Sequence, residues 1–302
     1  MAFHRLLVIK PSSLGDVVQA LQVVAALKAR RTDVAVDWVV RDCFLDLVRA
    51  SGLVDRIFPF FRESGLRGLL SCCRQIRGAG HFDSVWDMQG LFRSGWMAHR
   101  ARSDRKIGRR DSREWARLFY TERLSLPRKA VPHAVEILME FLPTLAVERS
   151  TEFLRPHFAS PAQPVPSPYL LIAPESRVAA KNWPHFAALT EKLCRRRPSW
   201  RVLWVGQRRS GPAPRADNFC DLRGQTSLER LISLVQGALG VIANDSGCGH
   251  LAAALGRPVL SLFVATDPLR FAPYPPAGEG HFFARNPPPS FPELEIFLDY
   301  LG

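Results

Sequence analysis

The chain opens with the segment Arg5-Leu-Leu-Val-Ile-Lys-Pro-Ser-Ser-Leu-Gly-Asp16, in which an apolar run of strand length leads through a turn into a helix. Apolar residues recur at helical spacing over residues 14–30, and a second apolar run follows at residues 34–40. A strand, a helix and another strand in this order predict a crossover connection and a mostly parallel sheet. Shorter predicted strands at residues 56–59 and 83–87 continue the alternation, which is typical of an α/β domain.

The second half of the chain repeats this alternation. Predicted strands cover residues 169–173, 201–205, 240–244 and 258–263, and predicted helices cover residues 183–197, 227–237, 247–255 and 292–301. A proline-rich stretch without periodicity lies between the halves and indicates a linker. We therefore predict a first domain over residues 1–155, a linker over 156–168, a second domain over 169–288 and a closing helix over 289–302. Two doubly wound α/β domains are expected to bind ligands in a cleft at the carboxyl ends of their strands.

The composition points to negatively charged partners. Lys and Arg number 41 against 28 Asp and Glu, which gives a net charge of +13 over 302 residues. Nucleic acid, an acidic membrane surface and a phosphorylated acceptor all fit this surplus, and so does a genome that simply encodes much arginine. No helix-turn-helix, RNP-like or zinc-finger pattern is present in the sequence, so nucleic acid is not an expected partner.

The sequence also suggests where the protein works. It has neither the pattern of a signal peptide nor an apolar stretch long enough to span a bilayer, so we expect a cytoplasmic protein. The six cysteines form no CxxC pair and have mostly apolar neighbours, and we interpret them as reduced core thiols. No zinc or other metal site is predicted.

The first candidate site lies directly after the first predicted strand. Ser12, Ser13 and Gly15 suit a tight turn into a helix whose exposed amides can hold an anion. Asp16 is placed where a carboxylate can accept a proton from an attacking hydroxyl. The alternative is an acid in the first helical turn that is favoured by the helix dipole. The segment lacks the glycines of a dinucleotide fingerprint, and no P-loop motif occurs in the chain, which disfavours nicotinamide enzymes and P-loop ATPases.

The second candidate site is Asn244-Asp-Ser-Gly-Cys-Gly-His250, between a strand and a small-residue helix. Ser246 and Gly247 open that helix, and its amides can bind a pyrophosphate. Asp245 would be repelled by phosphate and suits sugar hydroxyls better. His250 lies one turn further along on the same face. An N-cap serine beside a packed histidine is the alternative.

Two further segments carry positive charge. Lys181 follows the first strand of the second half, beside a predicted helix start that Asn182 would cap, and it can face a phosphate leaving group. A solvated surface lysine is the alternative reading there. Residues 93–117 contain nine basic residues against three acidic ones, interleaved with aromatic residues, and could form an anion-binding wall.

Taken together, these segments resemble glycosyltransferase family 9, and within it the ADP-heptose:lipopolysaccharide heptosyltransferases, with the type I enzymes as the nearest group. The similarity runs over nearly the whole chain. The groups of residues that carry it include, in order, Ser12-Ser-Leu-Gly-Asp16, Asp87-Met-Gln-Gly-Leu-Phe-Arg-Ser94, Arg113-Glu-Trp-Ala-Arg-Leu-Phe-Tyr120, Ala180-Lys-Asn-Trp-Pro184, Asn244-Asp-Ser-Gly247 and Thr266-Asp-Pro268.

The resemblance implies a GT-B architecture of two Rossmann-like domains that face a central cleft, with the acceptor on the first domain and the nucleotide donor on the second. It implies Asp16 as general base and Lys181 as the phosphate-binding lysine. The remaining implied sites are a donor site of Ser12, Ser13, Gly15, Ser176, Arg177, Thr226, Asp245, Ser246, Gly247 and His250, and an acceptor site of Gln89, Arg93, Arg109 and Arg113.

The expected reaction is an inverting transfer of heptose from ADP-heptose to the Kdo–lipid A inner core of lipopolysaccharide. No cofactor or metal is expected to be required, although stimulation by Mg²⁺ stays open. Peripheral contact with the cytoplasmic face of the inner membrane is expected from the glycolipid acceptor. The alternatives are a family member with another nucleotide sugar or acceptor and a non-catalytic polyanion binder.

Two departures from the family pattern stand out. Glu175 occupies a place where a small residue is commoner, in Ala173-Pro-Glu-Ser-Arg177. No acidic residue that would hold the donor ribose is evident at residues 207–215.

Overall fold

The computed structural model describes residues 4–149, 156–159, 165, 168–208, 211–276 and 280–302. The chain divides into two compact units, which are the first domain, Met1–His157, and the second domain, Phe158–Gly302. Of the predicted linker, residues 160–164, 166 and 167 lie outside the described residues.

The first domain contains a six-stranded parallel sheet with the order β3-β2-β1-β4-β5-β6. The strands are β1 (His4–Ile9), β2 (Val34–Arg41), β3 (Arg56–Phe60), β4 (Ser84–Asp87), β5 (Lys106–Arg109) and β6 (Glu122–Leu124). The α-helices are α1 (Leu14–Arg30), α2 (Leu45–Ala50), α3 (Gly65–Gly78), α4 (Phe92–Arg100) and α5 (Ala134–Met139). The predicted β1–α1–β2 unit is confirmed, with α1 over the residues that the periodicity indicated.

Burial explains why β1 reads as an unbroken apolar run. Leu6, Leu7, Val8 and Ile9 are fully buried, because helices cover both faces of a parallel sheet. On one of those faces α3 and α4 share a core with β1, β3 and β4. Leu69, Cys72 and Ile76 of α3 and Met97 and Ala98 of α4 belong to it.

The second domain repeats this topology. Its parallel sheet has the order β12-β11-β10-β7-β8-β9. The strands are β7 (Tyr169–Ala173), β8 (Arg201–Trp204), β9 (Phe219–Asp221), β10 (Gly240–Asn244), β11 (Val259–Phe263) and β12 (His281–Arg285). The α-helices are α6 (Phe186–Arg196), α7 (Leu228–Gly237), α8 (Gly247–Ala254), α9 (Pro268–Phe271) and α10 (Pro292–Leu301).

The strand order reverses direction at one place in each sheet, between β1 and β4 and between β7 and β10. In doubly wound sheets, ligands bind beyond the carboxyl ends of the strands at this switch point. Asp16 and Gln89 follow β1 and β4, and Lys181 and Ser246 follow β7 and β10. The topology therefore places these four residues beyond the strands that flank the switch point of their domain, whereas Arg109 lies in β5, Arg113 follows β5 and Thr226 follows β9.

Two local predictions are wrong. Helix α6 begins at Phe186 after His185, and Asn182 does not cap it, because the Oδ1 atom of Asn182 accepts a hydrogen bond from the amide of Ser176 instead, at 2.7 Å. Cys43 is exposed and is not a core thiol, since β2 ends just before it in a single 3-10 turn at Asp42–Phe44. Burial raises the pKa of Cys72 and Cys248 to about 12, which agrees with inert core thiols at those two positions.

The described residues contain neither a candidate membrane span nor a candidate metal-ligand cluster. No helix there combines the length and the apolar character that a bilayer crossing requires. The same residues contain no cluster of three or more His, Cys, Asp or Glu side chains that could hold a metal ion.

Candidate active site

Asp16 is the third residue of α1, just beyond the carboxyl end of β1. One carboxylate oxygen, Oδ2, accepts hydrogen bonds from the amide of Ser13 at 2.9 Å and from its hydroxyl at 2.5 Å. The other, Oδ1, lies 3.2 Å from Nζ of Lys10. The side chain is still 43% exposed, so a substrate can reach it. The two roles predicted for Asp16, proton acceptor and acid of the first helical turn, are therefore compatible. Asp16 is the third residue of the helix and bonds the N-cap residue Ser13, and its carboxylate still lies at the switch point.

The surroundings of Asp16 keep it ionised. Partial burial opposes ionisation, but the charge of Lys10 and the two hydrogen bonds from Ser13 outweigh it and lower the pKa of Asp16 to about 2. The carboxylate is therefore negative at neutral pH and can accept a hydrogen bond from a hydroxyl. Ser12, Ser13 and Gly15, predicted to contact the donor, lie in the turn that leads to this carboxylate.

Lys10 is a residue that the sequence did not single out. It is 4% exposed, and its ammonium group donates to the carbonyl of Met88 at 3.1 Å as well as to Asp16. The end of β4 therefore fixes the position of the cation beside Asp16. The sequence could have indicated Lys10, because it ends an apolar predicted strand and lies shortly before the predicted acid Asp16.

Gln89 is held in a turn that a buried carboxylate organises. The Oδ1 atom of Asp87 accepts from the amides of Gln89 and Gly90 at 2.9 and 3.0 Å, and Oδ2 accepts from the hydroxyl of Tyr120 at 2.6 Å. Burial raises the pKa of Asp87. The Oε1 atom of Gln89 in turn accepts from the amide of Ser12 at 3.2 Å, so Gln89 joins the turn after β4 to the loop before Asp16.

The three predicted acceptor arginines have different surroundings. Arg93 lies in the first turn of α4 and is exposed. Arg113 is also exposed, and its amide bonds the carbonyl of Gly90 at 2.9 Å, which places it beside the Gln89 turn. Arg109 is bound to Asp111 through two hydrogen bonds of 2.8 and 2.9 Å. Arg93 and Arg113 are therefore the better placed of the three to meet an anionic acceptor.

In the second domain, the turn from β10 into α8 contains the hydroxyl of Ser246, which forms no hydrogen bond within the described residues. Ser246 is the N-cap residue and Gly247 the first residue of α8. The Oγ atom of Ser246 is buried and has no hydrogen-bond partner among the described residues. A buried hydroxyl in this state needs an explanation, and a bound anion at a helix N-terminus supplies one. His250 is half-buried one turn further along α8.

Lys181, Asp245 and Thr266 form a polar cluster beside this helix start. The Oδ2 atom of Asp245 lies 2.6 Å from Nζ of Lys181 and accepts from the hydroxyl of Thr266, also at 2.6 Å. Asp245 is 8% exposed. Lys181 is thus held by an acid and is not a solvated surface lysine. One oxygen of Asp245 is engaged by protein groups, so the carboxylate has a positioning role besides any contact with sugar hydroxyls.

Asn244 fixes the loops that carry this cluster. It is fully buried, its amide nitrogen donates to the carbonyl of Pro174 at 2.7 Å, and its Oδ1 atom accepts from the amide of Trp183 at 2.9 Å. The end of β10 is therefore tied to both ends of the segment that contains Lys181. Ser176 lies within the same segment, while Arg177 is exposed on it.

Glu175, which departs from the family pattern, pairs with a buried arginine. Arg223 is 2% exposed, donates to Glu175 at 2.9 Å and to both oxygens of Asp221 at 2.9 and 3.0 Å, and lies 4.6 Å from the ring centroid of Trp204. Glu175 and Asp221 are therefore engaged by one buried cation. Thr226 follows in the loop after β9, where its hydroxyl donates to the carbonyl of Leu222 at 2.9 Å.

Comparisons with known proteins agree with the fold and with the residue pattern. The family model described as glycosyltransferase family 9 (heptosyltransferase) matches residues 70–300. Lipopolysaccharide heptosyltransferase 1 of Pseudomonas aeruginosa is 28% identical over 288 residues, which cover 87% of this chain and 79% of that protein. The protein of the same name from Salmonella typhimurium is 27% identical over 289 residues, which cover 87% of this chain and 89% of that protein.

Among solved structures, E. coli heptosyltransferase WaaC with ADP matches with a TM-score of 0.82 and 23% identity over 99% of this chain and 100% of that one. WaaC with ADP-2-deoxy-2-fluoro heptose matches with a TM-score of 0.78 and 23% identity over 98% and 99% of the two chains. At this identity the match concerns the fold, and the expected pair of Rossmann-like domains of the GT-B type is confirmed.

Proposed function

Since this chain belongs to glycosyltransferase family 9, we propose that it transfers heptose from ADP-heptose to the Kdo–lipid A inner core of lipopolysaccharide. The relatives named lipopolysaccharide heptosyltransferase 1 align with most of its length and support this substrate pair. The single observation in the fold that carries the proposal is the buried, unpartnered hydroxyl of Ser246 at the start of α8. It lies next in sequence to Asp245, which holds Lys181.

The donor diphosphate is proposed to bind at this helix start. The first-turn amides of α8 and the hydroxyl of Ser246 donate to phosphate oxygens, and the helix dipole favours their negative charge. Lys181 adds a positive charge beside them. Asp245, whose carboxylate also accepts from Thr266, holds Lys181 in place and leaves its ammonium group with donors to spare, since a lysine carries three.

The reaction is proposed to proceed as one displacement with inversion. The acceptor hydroxyl oxygen forms a bond to the anomeric carbon of heptose while the bond from that carbon to the diphosphate oxygen breaks. ADP leaves with the bonding electron pair, and the hydroxyl proton passes to Asp16. A carboxylate of low pKa suffices for this step because the hydroxyl proton becomes strongly acidic once its oxygen bonds to the anomeric carbon.

Charge develops on the departing diphosphate, and its stabilisation is proposed to be the largest contribution of the protein. Fixed donors aimed at a developing charge lower the barrier because they need no reorganisation during the reaction. Lys181, Ser246 and the α8 amides are such donors, and Asn244 keeps their two loops together. A metal ion is not required by this scheme.

The acceptor is proposed to be an anionic glycolipid that meets the carboxyl edge of the first sheet. Arg93 and Arg113 are exposed beside the turn that holds Gln89 and can pair with acidic groups of the inner core. A glycolipid acceptor implies peripheral contact with the membrane that contains it. No nucleic-acid partner is proposed.

The test is a binding screen of the purified protein against ADP-heptose and other nucleotide sugars, followed by turnover with Kdo–lipid A. We expect binding of ADP-heptose and release of ADP with formation of a heptosylated product, in the presence or absence of a chelator. Preference for another nucleotide sugar would keep the mechanism but change the substrate. Absence of binding to any nucleotide sugar would contradict the proposal.

A further inference from the structure

The exposed apolar side chains of the first domain are concentrated at one edge of its sheet. Among the described residues of this domain, the large exposed hydrophobic side chains all lie in segments that follow the carboxyl ends of strands. Six of them follow three strands: Phe61, Leu66 and Leu70 after β3, Phe92 after β4, and Trp115 and Leu118 after β5. Because all strands are parallel, these ends share one edge, and the six residues are called the apolar rim below.

Helix α3 illustrates the character of this rim. Its inner face packs Leu69, Cys72 and Ile76 into the core. Its outer face carries Leu66 and Leu70, which are 68% and 47% exposed, together with exposed arginines, and the helix contains no acidic residue. Leucine four residues from leucine on a solvent-facing side, flanked by arginine, is the pattern of a helix that lies in a membrane interface.

The part of the rim after β4 and β5 forms a second apolar corner. Phe92 contacts Phe119 edge-on, with ring centroids 5.6 Å apart. A Cβ on Gly95 would lie 2.7 Å from the Phe119 ring, so the 3-10 turn Ala116–Phe119 packs directly on the first turns of α4. Trp115 and Leu118, at 69% and 65% exposure, therefore stand beside Phe92.

The charge around the rim is positive. Exposed arginines in the same segments include Arg62, Arg67, Arg74, Arg93, Arg110, Arg113 and Arg117. The acids nearest to the rim residues in sequence are engaged within the fold. Glu63 pairs with Arg41 at 3.1 Å, Asp111 pairs with Arg109 at 2.8 Å, and Glu114 accepts from the amide of Phe92 at 3.2 Å. The surface thus combines exposed apolar groups with unbalanced positive charge.

We propose that the apolar rim docks the protein on a bilayer surface that contains anionic phospholipid. Leucine and aromatic side chains would enter the headgroup region, and arginines would pair with lipid phosphates while their stems cover the apolar groups. Asp16 follows β1 at the same edge of the sheet. A lipid-anchored acceptor would therefore meet the proposed base without leaving the bilayer, and this consequence, unlike the docking itself, rests on the proposed function.

The test measures flotation of the full-length protein with vesicles, without donor or acceptor. Wild type is expected to bind vesicles of phosphatidylethanolamine with phosphatidylglycerol, and to bind phosphatidylcholine vesicles weakly. The variant Leu66→Gln/Leu70→Gln is expected to lower the bound fraction by about tenfold at limiting lipid, since two leucine side chains no longer leave water. Glutamine keeps the helix propensity of α3.

The matched control is Ile296→Gln/Tyr300→Gln, which removes a pair with the same spacing from α10 of the second domain, at 55% and 47% exposure. It is expected to bind as wild type does. A second α3 variant, Arg67→Gln/Arg74→Gln, is expected to bind less and with a weaker dependence on salt. Circular dichroism checks that each variant is folded.

Three outcomes would overturn the proposal: no binding of wild type to anionic vesicles, equal binding of wild type and both α3 variants, or equal loss in the α10 control. A dimer that forms without lipid and that Leu66→Gln/Leu70→Gln dissociates would also overturn it, since the rim would then bind a second copy of the chain. Turnover with a short water-soluble acceptor, measured in parallel, reports on the proposed function separately from docking.

Discussion

The ammonium group of Lys10 lies 3.2 Å from the Oδ1 atom of Asp16, and the same ammonium group donates to the carbonyl of Met88. A buried cation that is fixed by the end of β4 therefore sets the charge state of the carboxylate after β1. Asp16 is ionised throughout the neutral range and has a low proton affinity, with a pKa of about 2. This pair couples the geometry of the two strands at the switch point to the chemistry proposed for Asp16.

Removal of the Asp16 carboxylate is predicted to abolish most of the turnover. Asp16→Asn and Asp16→Ala are expected to lower kcat by roughly 10²–10⁴-fold, because the proton of the attacking hydroxyl loses its acceptor. Affinity for ADP should stay largely unchanged, since the proposed diphosphate site at the start of α8 lies in the second domain. The measurement is steady-state kinetics combined with calorimetric titration of ADP, and near-normal turnover would remove Asp16 as the base.

Substitution of Lys10 is predicted to move the acid limb of the pH–rate profile. The folded pKa of Asp16 lies below its ordinary value of 3.8, so the carboxylate stays charged as the pH falls toward about 2. Lys10→Met removes the neighbouring positive charge and should raise the pKa of Asp16. Burial, which raises this pKa, is then opposed only by the hydrogen bonds from Ser13.

We therefore expect kcat/KM of Lys10→Met to fall with decreasing pH at a higher pH than that of wild type. Lys28→Met is the control, because Lys28 is at the other end of α1 and bonds the carbonyl of Val34. Superimposable acid limbs for wild type and Lys10→Met would show that Lys10 does not act on the base.

The low pKa of Asp16 also makes the free energy of unfolding depend on pH. A carboxyl whose pKa is lower in the folded than in the unfolded chain stabilises the fold above the unfolded pKa. The contribution of Asp16 should be complete above about pH 4 and should be lost as the pH falls toward 2. Urea unfolding of wild type and Asp16→Asn between these values checks the sign: the two free energies of unfolding should converge as the pH is lowered.

Loss of the Lys181 ammonium group is predicted to weaken transition-state stabilisation. Lys181→Ala should cost about 2–4 kcal/mol in kcat/KM, by analogy with the loss of a fixed donor to a developing negative charge. Lys192→Ala is the control, since Lys192 lies on α6 and pairs with Glu295 at the surface. Unchanged ADP affinity together with an unchanged rate in Lys181→Ala would exclude a role for it at the diphosphate.

The buried Arg223 is predicted to matter for stability. Arg223→Met leaves Glu175 and Asp221 without their shared cation and should lower the free energy of unfolding by about 3–5 kcal/mol. Arg196→Met, which breaks an exposed pair with Glu295, should change it by at most about 1 kcal/mol. Chemical denaturation of both variants tests this, and equal effects would mean that the buried cluster is not a significant stabilising element.

Periodicity predicted the elements that are long or fully apolar. Helix α1, strand β7, strand β10 and helix α10 have the bounds that the sequence indicated. The strands β5, β6, β9 and β12 were not predicted. The first three have only three or four residues, all four carry charged residues, and β6, β9 and β12 lie at sheet edges. These segments are strands because they form hydrogen bonds with neighbouring strands, and such pairing cannot be seen in the sequence.

The site was predictable in part for a similar reason. Asp16, Lys181 and Ser246 each follow a recognisable strand, so the rule for carboxyl ends indicated them. Tyr120 and Asp87 are 33 residues apart in sequence, and Arg223 and Glu175 are 48 apart. Such contacts arise from the tertiary fold and are not encoded in local spacing. The role of Asn182 was missed because its hydrogen bond to Ser176 competes with helix capping.

Each proposed half of the chemistry is assembled from one domain alone. Lys10, Asp16 and Gln89 belong to the first unit, and Lys181, Ser246 and Thr266 belong to the second. Substitutions can therefore accumulate around the base and the acceptor arginines without disturbing the geometry of the helix start at Ser246. Such modularity allows a lineage to change the molecule it glycosylates while it inherits the same activated sugar.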